Sequence, residues 1–251
     1  MDLHLQDKVF IVTGAGGGIG SSVVRAFEDV GARVLLVDNN HEALQEAHQA
    51  LKDPSRHHAV TTNLVNIQGH PKLIAEAKKN LGRLDGLVHL AAILRRQQSI
   101  DDITEEEWDL QNTVNLKATF FLNREVARSL RGSGGGSIVN FTSQGWMTGG
   151  YTGSLVYAAT KGGIVSLSRG LARALAPCNI RVNTLAPGGV DTPMMRDGAT
   201  DEQLSMFIKS IPLGRMAQAD DIASVAVFLS SDRAGYITGA TVNVSGGQLM
   251  Y

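Results

Sequence analysis

Short continuous apolar runs alternate with segments of helical period along the whole chain. Val9-Phe10-Ile11-Val12 reads as a buried strand. The stretch after it places Ile19, Val23, Ala26, Phe27 and Val30 three and four apart, the stripe of an amphipathic helix. Further strands are predicted at Arg33–Val37, His58–Thr62, Leu87–Leu90, Ser137–Phe141, Arg181–Leu185 and Thr241–Val244. Helical segments fall between them at Glu42–Leu51, Ile67–Leu81, Glu105–Arg131, Tyr157–Leu175 and Asp220–Leu229. Strands that are apolar throughout, rather than alternating, are buried on both faces. The pattern therefore predicts one parallel sheet of seven strands covered by helices on both sides, a doubly wound α/β arrangement.

No linker or repeat divides the chain, so a single domain over 1–251 is expected. The one low-complexity patch, Gly132-Ser133-Gly134-Gly135-Gly136, sits where a helix must turn into a strand. With 23 basic and 24 acidic side chains the formal net charge is −1, which offers nothing to draw in a nucleic acid. Cys178 is the only cysteine, so no intrachain disulfide forms and a reducing compartment is expected. Residues 1–8 are mixed and polar, unlike a signal peptide, and no apolar run approaches the ~20 residues of a membrane span. The expectation is a soluble, cytoplasmic protein with no membrane partner. Nothing in the sequence suggests a metal site.

Glycine is over-represented, with 28 residues, and position explains the excess. Gly14, Gly16, Gly17, Gly18 and Gly20 lie between the first strand and the first helix. A glycine-rich turn there lets backbone N–H groups approach a pyrophosphate at the positive end of the helix. The second strand closes on Asp38, 18 residues beyond Gly20. A carboxylate at that point accepts hydrogen bonds from ribose hydroxyls and repels a 2′-phosphate, and no Arg or Lys stands in the glycine loop or just after Asp38 to offset the repulsion. Loop and acid together predict NAD rather than NADP.

Tyr157 and Lys161 are four apart in a segment of helical period, so they share a helix face. A neighbouring ammonium favours the phenolate, and on this reading Lys161 lowers the Tyr157 pKa from its usual ~10. Such a phenol can exchange a proton with an alcohol or carbonyl oxygen. Ser143 follows the preceding strand, on the side where open parallel sheets bind their ligands.

Together these motifs resemble the short-chain dehydrogenase/reductase family, in its single-domain form of roughly 250 residues, over nearly the whole chain. The resemblance rests on Thr13-Gly14-x-x-x-Gly18-x-Gly20, Asn115, Ser143, Tyr157-x-x-x-Lys161 and Pro187-Gly188-Gly189-Val190-Asp191-Thr192-Pro193. Tyr236-Ile237-Thr238-Gly239 and Ser245-Gly246-Gly247 resemble the C-terminal pattern. It implies a Rossmann-like fold and hydride transfer between a secondary alcohol or its ketone and a nicotinamide. By resemblance Tyr157 is the general acid/base, Ser143 orients the substrate oxygen, Lys161 binds the nicotinamide ribose, and Asn115 holds a water linking Lys161 to solvent. Gly14, Gly17, Gly18, Ile19, Gly20, Asp38, Asn63, Leu64, Ala91, Pro187, Gly188, Val190 and Thr192 complete the implied cofactor site. A homotetramer is likewise implied.

Three departures from the family pattern stand out. His89-Leu90-Ala91-Ala92 stands where Asn-Asn-Ala-Gly is usual, removing two amides near the adenosine. His89 reads as a strand-end structural residue. Asn63 replaces a frequent Asp and still offers an acceptor, and Ser245 replaces another. For the substrate, Gln144, Trp146, Met147 and Tyr151 are expected to line the pocket after Ser143, with Met194, Met195, Met206 and Phe207 opposite. Arg95 and Arg96 either clamp a carboxylate or phosphate, as in an anionic hydroxy or sugar acid, or serve as solvated or subunit-contact residues. A 3-oxoacyl-carrier-protein ketoreductase and a non-catalytic NAD-sensing or scaffold protein remain the alternatives.

Overall fold

A computed structural model describes residues 2–150, 153–197 and 200–251. Seven strands form one sheet in the order β3-β2-β1-β4-β5-β6-β7, every neighbouring pair parallel. They are β1 (Val9–Thr13), β2 (Arg33–Asp38), β3 (His58–Thr61), β4 (Gly86–His89), β5 (Gly136–Phe141), β6 (Ile180–Pro187) and β7 (Thr241–Val244). Successive side chains of a strand point to opposite faces, so each strand feeds two cores. Phe10, Val12, Val34 and Leu36 pack with Val23, Val24 and Phe27 of α1 (Gly18–Asp29) and with Ile222 and Val227 of α10 (Ala219–Ser230). Val9, Ile11, Leu35 and Val37 pack on the other side against α3 (His70–Leu81), α5 (Ala118–Arg131) and α7 (Leu155–Leu175). Phe10 and Phe27 stack with ring centroids 4.6 Å apart. Strand order reverses between β1 and β4, and a ligand crevice belongs at their carboxyl ends.

The remaining helices are α2 (His41–Gln49), α4 (Glu105–Asn112), α6 (Gly145–Thr148), α8 (Pro193–Arg196) and α9 (Asp201–Lys209). The segment expected as one helix over 105–131 is instead interrupted by a π-helical turn, Thr113–Lys117, between α4 and α5. The extra residue puts Asn115 fully inside, where its amide clasps the Ile93 backbone, an interaction hydropathy periodicity does not register. Likewise Ile67–Gly69 forms a 3₁₀ turn ahead of α3. Among the described residues no helix is long and apolar enough to cross a membrane.

Candidate active site

One cleft of about 1100 Å³ opens over the carboxyl ends of the strands. The glycine loop forms one part of its lining. Gly14 adopts φ +67°, and a Cβ there would lie 3.1 Å from the Ala91 backbone nitrogen, so the loop after β1 meets the loop after β4 at backbone contact. A Cβ on Gly20 would overlap the Gly14 carbonyl oxygen, which is why helix α1 can begin directly under the turn. Gly17 caps that helix with no side-chain bond, leaving its first-turn N–H groups toward the cleft. Asp38 accepts from the Gly16 N–H at 3.0 Å through one oxygen and from the Asn40 N–H at 3.0 Å through the other. Each carboxylate oxygen keeps a second lone pair.

Ser143, Tyr157 and Lys161 converge in the same cleft. Ser143 lies two residues past β5, its Oγ accepting from the Gly145 N–H at 3.2 Å and hydrogen-bonded to the Tyr157 hydroxyl. Lys161 is 2% exposed, with Nζ donating to the Phe141 carbonyl at 2.9 Å and lying 5.3 Å from the centre of the Tyr157 ring. The electrostatics correct the sequence expectation. Burial pushes the Tyr157 hydroxyl up to about 12, opposed by the Ser143 hydrogen bond and the Arg96 charge, and Lys161 is not what lowers it. Lys161 is itself pushed down to about 7, because burial disfavours an ammonium held by a carbonyl rather than by an acid.

The side chain of Asn115 does not face the cleft. Its Oδ1 accepts from the Ile93 N–H at 2.8 Å, and its Nδ2 donates to the Ile93 carbonyl at 2.9 Å and to Thr160 Oγ1 at 3.2 Å. What it holds directly is the wall of the cleft.

All of the glycine-loop, Asp38, Asn63, Leu64, Ala91, Pro187, Gly188, Val190 and Thr192 positions line the cleft. Of the substrate candidates, Gln144, Arg96, Met194, Met195 and Phe207 line it as well. Trp146 does not, because α6 turns it away to meet Tyr251 edge-on at 5.4 Å, with Arg169 over its ring at 6.0 Å. Met147 and Met206 are 48% and 58% exposed and point elsewhere. Arg95 is exposed outside the lining, its N–H donating to Gln111 Oε1 at 3.3 Å. Tyr151 lies outside the described residues. Sequence reasoning named Thr13 only as part of the glycine motif and missed Thr119 and Thr160; the hydroxyls of all three join the loops, a role for which a threonine carries no spacing signal. It also missed Gln248, which accepts from Gln144 Nε2 at 2.8 Å and donates to Ser210 Oγ at 2.6 Å beyond α9.

With this geometry in view, relatives are readily found. A family model described as Enoyl-(Acyl carrier protein) reductase matches residues 14–248. The chain is 34% identical over 248 residues to the 3-oxoacyl-[acyl-carrier-protein] reductase FabG of Rickettsia felis, covering 99% of each. It is 33% identical over 246 residues to the NAD-dependent glycerol dehydrogenase of Listeria innocua, covering 98% of this chain and 95% of that one. The (3R)-3-hydroxyacyl-CoA dehydrogenase of Mus musculus is 35% identical over 260 residues, with 99% and 98% covered. A crystal structure from Sinorhizobium meliloti 1021, assigned to the short-chain alcohol dehydrogenases, superposes with a TM-score of 0.93 at 34% identity, covering 99% and 98%. The chain belongs to the short-chain dehydrogenase/reductase family, oxidoreductases that use nicotinamide cofactors.

Proposed function

We propose that the whole chain acts as one catalytic unit that moves a hydride between NAD and a secondary alcohol or its ketone. The observation that carries this reading is the meeting of Ser143, Tyr157 and Lys161 in the cleft that also holds the glycine loop and Asp38. The glycine loop, approached at backbone distance, and an acid with free lone pairs suit a dinucleotide with an unmodified ribose. Bound there, NAD would supply the hydride acceptor or donor. The chain's own groups handle the proton. In reduction Tyr157, protonated at neutral pH, donates to the carbonyl oxygen that Ser143 orients. In oxidation Tyr157 must first release its own proton to solvent, and the phenolate, favoured by the Ser143 hydrogen bond and the Arg96 charge, then takes the alcohol proton.

The substrate we favour is an anionic hydroxy or keto acid. Arg96 supports this: its guanidinium lines the cleft within electrostatic reach of Tyr157, and no acidic partner in the described residues neutralises it. A carrier-bound 3-oxoacyl substrate is the second reading, favoured by the names of several relatives. Working in the cytoplasm as a homotetramer completes the proposal. The test is turnover of wild type and Tyr157→Phe with NAD⁺ or NADP⁺ against secondary alcohols and hydroxy acids, and with NADH or NADPH against 3-oxoacyl thioesters, following the reduced cofactor's absorbance. We expect NAD⁺ preference, and a loss of turnover in Tyr157→Phe with NADH binding retained. Strong preference for NADP⁺ would defeat the Asp38 argument. Unchanged turnover in the variant, or none in wild type on any substrate, would remove the catalytic role of Tyr157.

A further inference from the structure

His89, one of the residues that depart from the family pattern, ends β4 and is 3% exposed. Both ring nitrogens are bonded to hydroxyls: Nδ1 to Thr13 Oγ1 at 2.7 Å and Nε2 to Thr119 Oγ1 at 2.9 Å. The direction of each bond follows from what the hydroxyls do next. Thr13 Oγ1 accepts from the Leu90 and Ala91 N–H groups, both at 3.2 Å, which fills its lone pairs and sends its proton to Nδ1. Thr119 Oγ1 gives its own proton to the Asn115 carbonyl at 2.6 Å, so it accepts from the ring's Nε2–H. One neutral tautomer therefore satisfies both hydroxyls and the three backbone groups they serve. Burial, with the Lys161 and His70 charges adding to it, pushes the imidazole down to about 3, which keeps the ring neutral.

The two ends of this chain of bonds hold different things. Through Thr13 the ring secures Leu90 and Ala91, the segment in backbone contact with Gly14 of the phosphate loop. Through Thr119 it secures Asn115, whose amide grips Ile93 and Thr160, and Thr160 in turn donates to the Tyr157 carbonyl at 2.7 Å. The first end lies against the cofactor half of the cleft and the second against the helix that carries Tyr157 and Lys161. A strut that only stiffened the sheet would not divide in this way.

We propose that His89 is a positioning residue with two separable arms, its Nδ1 arm setting the loop that faces the dinucleotide and its Nε2 arm setting the Asn115 turn beneath the reacting groups. The assignment rests on the proposed dehydrogenase reading, and the experiment keeps the two apart. An asparagine amide reaches the Nδ1 position and a glutamine amide the Nε2 position, so each variant keeps one arm. His89→Gln, which abandons Thr13, is expected to raise the NADH dissociation constant about five- to tenfold, the effect of losing one buried neutral hydrogen bond, and to move kcat less. His89→Asn, which abandons Thr119, is expected to leave the dissociation constant within about twofold while kcat falls about five- to tenfold and its pH profile shifts. Thr119→Val removes the same hydroxyl without touching the ring; it should reproduce the His89→Asn pattern and carries the test where the ring variants do not fold. If the variants move binding and kcat in equal proportion, or lower only the melting temperature, His89 is structural and the proposal is wrong. If wild type shows no turnover, the dehydrogenase reading fails, while the split in NADH affinity still decides the Nδ1 arm.

Discussion

Lys161 is the place where this fold stores an electrostatic cost that can be measured. Its ammonium is buried against a carbonyl, and burial lowers its pKa from 10.5 to about 7. At one pKa unit per 1.36 kcal/mol, the shift of 3.5 units corresponds to a ceiling of about 5 kcal/mol. The sign follows from proton counts. Between pH 7 and 10.5 the unfolded chain holds a proton on this lysine that the folded protein has released, so stability rises with pH across that window. Below pH 7 both states are charged and the folded protein bears the full penalty. Lys161→Met removes the charge and keeps much of the apolar stem. It also leaves the Phe141 carbonyl without its 2.9 Å donor, a loss of roughly 1–3 kcal/mol that does not vary with pH. At any one pH the two contributions oppose each other, and only the charge contribution varies with pH. From pH 6 to pH 9 wild type should gain about 3 kcal/mol relative to the variant. For a chain of this size that is a relative change in melting temperature of roughly 6–12 °C. Thermal unfolding of both proteins, without cofactor and at one fixed concentration, reads it directly. A difference that stays constant from pH 6 to 9 would show that Lys161 is solvated or paired in the folded state, and the desolvation argument would fall.

Two further outcomes test the cleft. Arg96→Ala should lower kcat/KM for acidic substrates by about 10- to 100-fold relative to neutral ones, the scale of a hydrogen bond to a charged group, while Arg95→Ala should not, since it stands outside the cleft. Equal effects of Arg96→Ala on acidic and neutral substrates in a kinetic panel would end the anion reading. Gly20→Ala drives a methyl into the Gly14 carbonyl, so NADH affinity measured by fluorescence titration should fall about tenfold or more, from roughly 1–3 kcal/mol of overpacking strain. Unchanged affinity would mean that the loop is not held as described.

Hydropathy patterning alone was sufficient for the seven strands and most helices, and for burial on both faces of the inner strands though not of the edge strands β3 and β7, because continuous apolar runs and a 3.6-residue stripe are local consequences of where each side chain points. Position along the chain was also sufficient for the glycine loop, Asp38 and the Tyr157–Lys161 pair. Backbone approach and an i,i+4 face are properties of neighbouring residues. What tertiary structure decided is everything that depends on contacts between distant segments. Packing bent 105–131 into a π turn around Asn115 and sent Trp146 out to Tyr251. It separated Arg96 from Arg95, one lining the cleft and one outside it. It also decided the charge states: burial, not the proximity of Lys161, governs Tyr157, and burial draws Lys161 down. His89 shows the same division. Its place at a strand end was readable from the chain, but its partners lie 76 and 30 residues away. Desolvation and long-range hydrogen bonds exist only once those segments meet, so no spacing rule along the chain can express them.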